Sequence, residues 1–199
     1  MYKKLLEHPF IFNLWSATYI TPVARMITAV IQQDSQTSIL DLGCGSGRLQ
    51  RHLSFRNYMG IDQNSGYIEY AKKHSQGRFI AGDVTDLNRC LDDQKFDYVF
   101  LIGLLHHLEY SQAVSVMKQL PAYVKPGGKV IVIDHVYTPE LSLLNKILLK
   151  CDRGKFIIKQ NDYRQLFQNF TVVSNKGFSI GLGSIALWSS PARFVLTPR

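Results

Sequence analysis

Short, mostly apolar runs recur along the middle of the chain: SILDL at 38–42, YMGID at 58–62, RFIAGD at 78–83, FDYVFLI at 96–102 and KVIVID at 129–134. Each is brief, rich in β-branched or aromatic residues, and apolar at odd and even positions alike. That pattern belongs to strands buried on both faces. Between them, stretches such as 65–76 and 110–125 repeat apolar residues at helical spacing, leaving a polar outer face. Strand and helix in alternation predict a parallel sheet wound by right-handed crossovers, a doubly wound α/β fold with helices on both faces.

The ends break this rhythm. In HPFIFNLWSATYITPVARMITAVI, Phe10, Phe12, Trp15 and Tyr19 fall at roughly helical separations, predicting an N-terminal helical segment whose stripe serves either packing or a ligand wall. Beyond the fifth run, ELSLLNKILLK places Leu141, Leu144, Ile147 and Leu148 on one face, with Lys146 and Lys150 elsewhere. An amphipathic basic helix is expected there, read as a lid, a membrane-surface contact or a solvated helix on the core. NDYRQLFQNF reads as one more helix, and FTVVSNKGFSI and RFVLTPR as two last strands, bringing the sheet to seven.

Composition narrows the class. At 199 residues, 46% apolar and 19% charged, the chain suits one globular domain and has no low-complexity linker or internal repeat. Glu7, His8 and Pro9 interrupt any apolar leader, and no run of about 18 apolar residues occurs, so a cytoplasmic protein without a transmembrane segment is expected. Cys44, Cys90 and Cys151 share no metal-ligand spacing, which argues for reduced thiols and no metal. The net charge of +8 is uneven: residues 1–31 carry +2, residues 32–139 balance at zero, and residues 140–199 carry +6. Arg153, Lys155 and Lys159, with Tyr163 and Arg164 following, belong to that basic third and read either as receivers of an acidic group or as dispersed surface charges.

The stretch ILDLGCGSGRL holds the most chemistry. A strand ending at Asp41-Leu42 runs into Gly43, Gly45 and Gly47, a turn bare of side chains at the carboxyl edge of the sheet. Doubly wound folds bind ligands at that edge, and glycines let a ligand approach the backbone. Asp62 closes the second strand, 19 positions after Gly43, where a carboxylate can accept from both hydroxyls of a ribose. Asp83 closes the third strand and can receive an exocyclic amine. Acids at successive strand ends suit an adenosine. The glycine spacing G-x-G-x-G, with Arg48 three positions after Gly45, departs from the dinucleotide fingerprint, and no phosphate-binding lysine loop is present.

Together ILDLGCGSGRL, GID at 60–62, GDV at 82–84, FDYVFLIGLLHHL at 96–108 and KPGGKVIVID at 125–134 resemble the class I S-adenosylmethionine-dependent methyltransferases. The resemblance covers roughly residues 35–135. It implies S-adenosylmethionine as cofactor, with Gly43, Cys44, Gly45 and Gly47 bordering its methionine part and Asp41 near its amino group. It places Asp62, followed by Gln63, at the ribose, Asp83 and Val84 at the adenine, and Ile102 and Gly103 on the cofactor's other side. The chain then divides into an N-terminal helical cap (1–34), a cofactor-binding core (35–135), a helical insertion or lid (136–165) and C-terminal strands (166–199), in which the last two form an antiparallel edge pair.

In methyl transfer from a sulfonium, positioning and desolvation supply much of the rate, and a base is optional. Candidates for a base are His106 and His107 after the fourth strand and Asp134 and His135 at the end of the fifth; His106 and His135 are singled out as catalytic candidates. Three functions fit: methylation of a small, moderately apolar metabolite, favoured at oxygen; methylation of RNA or protein through the basic C-terminal third; and cofactor binding without transfer. A small-molecule substrate is favoured over nucleic acid, because no separate nucleic-acid module and no motif for exocyclic base amines is present. The pattern is silent on oligomeric state.

Overall fold

The computed structural model of the protein describes residues 8–32, 34–135, 156, 158, 162–177, 180–182, 185–188 and 191–199, without the side chains of Trp15, Thr18 and 177–191. The basic helix expected at 140–150, with Arg153, Lys155 and Lys159, therefore lies outside the described residues, as does Cys151. The strands are β1 (Ser38–Leu42), β2 (Asn57–Asp62), β3 (Arg78–Ala81), β4 (Phe96–Ile102), β5 (Val124–His135), β6 (Phe170–Gly177), β7 (Ile180–Leu182), β8 (Ile185–Trp188) and β9 (Pro191–Pro198). The helices are α1 (Pro9–Thr28), α2 (Arg48–Leu53), α3 (Ser65–His74), α4 (Tyr110–Gln119) and α5 (Asp162–Leu166).

Seven strands form one sheet in the order β3-β2-β1-β4-β5-β9-β6. The first five pair in parallel, whereas β9 runs antiparallel to both β5 and β6, so the expected mostly parallel sheet is a mixed one. The run read as one strand through Ile180 stops at Gly177. Ile180 instead opens the small antiparallel ribbon β7-β8, which was not anticipated from the pattern. Its arms IGL and IALW are only three and four residues long.

Alternation along the strands builds two cores. Leu40, Leu42, Val99, Leu101, Val130 and Val132 face one side, where Ala113, Val116 and Met117 of α4 and Tyr163 and Leu166 of α5 cover them. Ile39, Tyr98, Phe100, Ile131 and Ile133 face the other, beneath Val23, Ala24 and Ile27 of α1, Leu49 of α2 and Ile68 and Ala71 of α3. Helices on both faces follow directly from strands that are apolar on both faces. The stretch 110–125 ends as a helix at Gln119, because Pro121 tightens the chain into a single 3-10 turn before β5.

Helix α1 starts where His8 accepts from the Phe10 amide and Pro9 occupies the first turn. Pro22 sits in its interior, where it has no N–H to donate to the preceding turn. The segment after Pro22 is buried on the sheet, and its end is met by Arg193 of β9, which donates to the Met26 carbonyl at 2.8 Å. No described helix is long and apolar enough to cross a membrane.

Candidate cofactor and substrate site

Strand order reverses at β1, which lies between β2 and β4, so the loops after β1 and β4 leave in opposite directions and open a crevice at the carboxyl edge. A cavity of about 510 Å³ occupies it, within the range of pockets that hold small ligands. Eight of the residues singled out in the sequence line it: Gly43, Gly45, Asp62, Gln63, Asp83, Val84, Ile102 and Gly103.

The glycine turn has little room for side chains. Gly43 has φ +74° and Gly45 φ +55°, both in the left-handed region. A Cβ on Gly43 would stand 2.9 Å from the Leu104 side chain, and one on Gly45 would stand 2.8 Å from the Phe12 ring. Asp62 braces the turn from β2: one carboxylate oxygen accepts from the Gly45 amide and the other from the Asn64 amide, each at 2.9 Å. Asp83 accepts from both the amide and the hydroxyl of Thr85 at 2.8 Å.

Of the eleven residues expected at the cofactor, three stand outside the cavity lining: Asp41, Cys44 and Gly47. Asp41 is 3% exposed and accepts from the Tyr58 hydroxyl. Burial, joined by the charge of Asp62 and opposed by the Tyr58 bond, pushes its carboxyl up to about 7. Cys44 is buried against Gly60, and burial pushes its thiol well above the usual range. Gly47, also at positive φ, precedes the first residue of α2 and packs against Ala71 and Ser75.

Two residues of the N-terminal aromatic stripe line the cavity, and so do Asn64, Tyr67, Leu108 and Gln112, which the sequence did not single out. Phe12 and Tyr19 of α1 reach the cavity from the far end of the chain, and Phe12 packs on Tyr67 with ring centroids 4.7 Å apart. Asn64, which caps α3 by accepting from Tyr67, and Tyr67 itself lie just after Asp62; the D-x-N-S spacing at a helix start was the available signal. Leu108 and Gln112 follow the histidine pair, and Gln112 also closes a capping box with Glu109.

The histidines divide. His106 and His107 line the cavity, whereas His135 is 2% exposed and stands outside the lining. His106 Nδ1 lies 2.5 Å from Asp134 Oδ1, and the His135 ring meets the His106 ring edge-on with centroids 5.0 Å apart. Asp134 is fully buried; its Oδ2 accepts from the Leu105 amide at 2.6 Å and its Oδ1 also accepts from the His135 amide at 2.7 Å. Burial alone would raise this carboxyl, but His106, its hydrogen bond and His135 outweigh it and hold Asp134 below the ordinary carboxylate range.

The residues present fit S-adenosylmethionine. The lining combines a turn bare of side chains, carboxylates after β2 and β3, and the apolar side chains of Val84 and Ile102, the mixture that an adenosyl sulfonium needs. Among the described residues the lining carries two carboxylates and no lysine or arginine, which suits a cationic sulfonium. No cluster of metal-ligating side chains occurs among the described residues.

Comparison with known proteins agrees. Residues 39–128 match the family model described as a methyltransferase domain. The phosphoethanolamine N-methyltransferase of Triticum aestivum is 26% identical over 140 residues, covering 66% of this chain and 27% of that protein. The probable tRNA methyltransferase 9B of Bos taurus is 26% identical over 102 residues, covering 51% of this chain and 22% of that protein. The chain thus spans about a quarter of the length of these relatives. In fold it is similar to the magnesium protoporphyrin IX methyltransferase of Synechocystis PCC 6803 with bound SAH, at TM-score 0.64 and 18% identity, covering 92% of this chain and 83% of that one. The glycine turn and the acidic ends of β1, β2 and β3 fall inside the matched residues, so residues 39–128 are a methyltransferase domain, and its sheet has the class I, Rossmann-like arrangement.

Proposed function

We propose that this protein methylates a small, moderately apolar metabolite, at oxygen in preference to nitrogen or carbon, with S-adenosylmethionine as donor. One observation carries the reading: the cavity that holds the glycine turn and Asp62 is also lined by Phe12, Tyr19, Leu108 and His106. Donor site and an aromatic, histidine-bearing acceptor site share one enclosure. When bound, the cofactor supplies an electrophilic methyl whose departing sulfur keeps the bonding pair. The chain's own residues orient the acceptor, exclude water through Phe12 and Tyr19, and present His106 to a hydroxyl proton. In this reading α1 is the cap over the substrate, and Asp62 holds the ribose.

The competing reading, an RNA acceptor, draws on the +6 of residues 140–199 and on the tRNA methyltransferase relative. The absence of lysine and arginine from the described cavity lining favours the metabolite. Calorimetric titration with S-adenosylmethionine, S-adenosylhomocysteine and NAD side by side is the test. The first two bind and NAD does not, and Asp62→Ala weakens both by about 10-fold to 100-fold. Transfer to phenols or other hydroxylated metabolites then supports the acceptor class. Failure of both adenosyl ligands to bind overturns the reading, and RNA affinity that falls steeply with salt replaces it with the second.

A further inference from the structure

We infer that Asp134 is a positioning residue that holds His106 in the tautomer protonated at Nδ1, so that Nε2 is the atom that takes a proton from the acceptor. The inference rests on the proposed transfer to a hydroxyl, and it changes the part Asp134 plays. The sequence offers Asp134 as a base alongside the histidines, but both its oxygens are spent inside the protein. Oδ2 accepts from the amides of Leu105 and His106, at 2.6 and 3.4 Å, and Oδ1 from the His135 amide and the His106 ring, at 2.7 and 2.5 Å. With no exposure of its own, it meets the cavity only through His106, which lines it.

A buried carboxylate needs a donor for each lone pair that it turns away from water. Three backbone amides supply part of this, and the fourth donor is the imidazole, so Nδ1 carries the hydrogen. The Leu105 and His106 amides set the turn at 105–107 on the carboxylate. One side chain therefore fixes both the backbone that carries His106 and the orientation of its ring. His107 at 4.2 Å and His135 at 5.0 Å between centroids confine that ring further, and the Tyr163 hydroxyl ties β5 in place by donating to the His135 carbonyl at 3.2 Å. Among the described residues, the titratable groups facing the pair are His107, His135 and Tyr163. The proton passes from the acceptor O–H to Nε2 and the imidazolium so formed is balanced by Asp134, which stays ionised; the pair of electrons left on oxygen forms the new bond to carbon. The depressed proton affinity of Asp134 agrees with its remaining an anion throughout.

The test begins with a readout independent of turnover. In long-range ¹H–¹⁵N spectra of the ¹⁵N-histidine-labelled protein, with His106 assigned by His106→Gln, wild type shows Nδ1 protonated above the pH at which the ring loses its charge. Asp134→Asn moves the ring toward the Nε2-protonated form. The same variant lowers kcat about 10-fold to 100-fold and shifts the acidic limb of the pH–rate profile to lower pH, while affinity for S-adenosylhomocysteine changes less than about twofold. Nε2 protonation in wild type overturns the inference without any variant having to fold. Nδ1 protonation with unchanged turnover in His106→Gln overturns the base role. Failure to bind either adenosyl ligand, by contrast, removes the function while the spectra still decide the pair.

Discussion

Gly45 has φ +55°, and its amide is committed to Asp62 at 2.9 Å while the Phe12 ring closes on it from above. Alanine there is strained by its backbone and meets the ring at 2.8 Å. Gly45→Ala is expected to weaken S-adenosylhomocysteine binding at least about 10-fold while the protein still melts cooperatively, because left-handed strain costs on the order of 1–2 kcal/mol. Calorimetry beside a thermal melt checks it; unchanged affinity would show that no ligand needs the bare backbone. The glycines and acids of this site were legible in the sequence because they sit in one short turn and at adjoining strand ends, where spacing alone defines geometry. The different situations of His106 and His135 were not. Which of the two histidines faces the cavity depends on how β4 and β5 lie side by side, Ile102 against Ile133.

At the scale of elements, α1 is fastened at two places. Before Pro22, Asn13 accepts through its side chain from Ser46 at 2.8 Å and from Arg51 at 2.9 Å, and its carbonyl accepts from Arg48. After Pro22, the helix is buried on the sheet and met by Arg193. Asn13→Ala leaves the Ser46 hydroxyl and the Arg51 guanidinium short of an acceptor and is expected to cost about 1–3 kcal/mol. Amide exchange should quicken in residues 9–21 and stay slow in 23–28, since Pro22 interrupts the hydrogen-bond ladder between them. Uniform quickening would show that the helix opens as one piece. The sequence showed a helix with an aromatic stripe, but Phe12 over Gly45 is a contact between segments 33 positions apart and had no local signature. The β7-β8 ribbon was missed for a related reason: arms as short as IGL and IALW differ little from a loop in pattern.

At the scale of the whole molecule, two buried carboxyls pull stability in opposite directions with pH. Asp41 is raised to about 7 in the fold, so the folded state holds a proton that the unfolded chain gives up at ordinary acid pH. Its contribution is present at low pH and is lost as pH rises toward 7, on the order of a few kcal/mol in all. Asp134 is lowered, so its contribution is present at neutral pH and is lost as pH falls through its folded value. Urea unfolding of wild type and Asp41→Asn between pH 4 and 8 separates the two. The variant should gain on wild type as pH rises to about 7, the folded value of Asp41, and then hold a constant difference. A difference that stays constant between about pH 5 and 8 would mean that Asp41 is ionised in the fold.

The sequence by itself determined the parallel core, the position of the glycine turn and the acids at the ends of β1, β2 and β3. Period, strand ends and turn chemistry are local properties, settled by neighbours within a few residues. Only the tertiary structure decided that β9 lies between β5 and β6, that Phe12 and Tyr19 reach the cavity, and that Asp134 pairs with His106. Each of these depends on the packing of segments distant in the chain, where burial and hydrogen-bond satisfaction select one arrangement among many that the same local pattern allows.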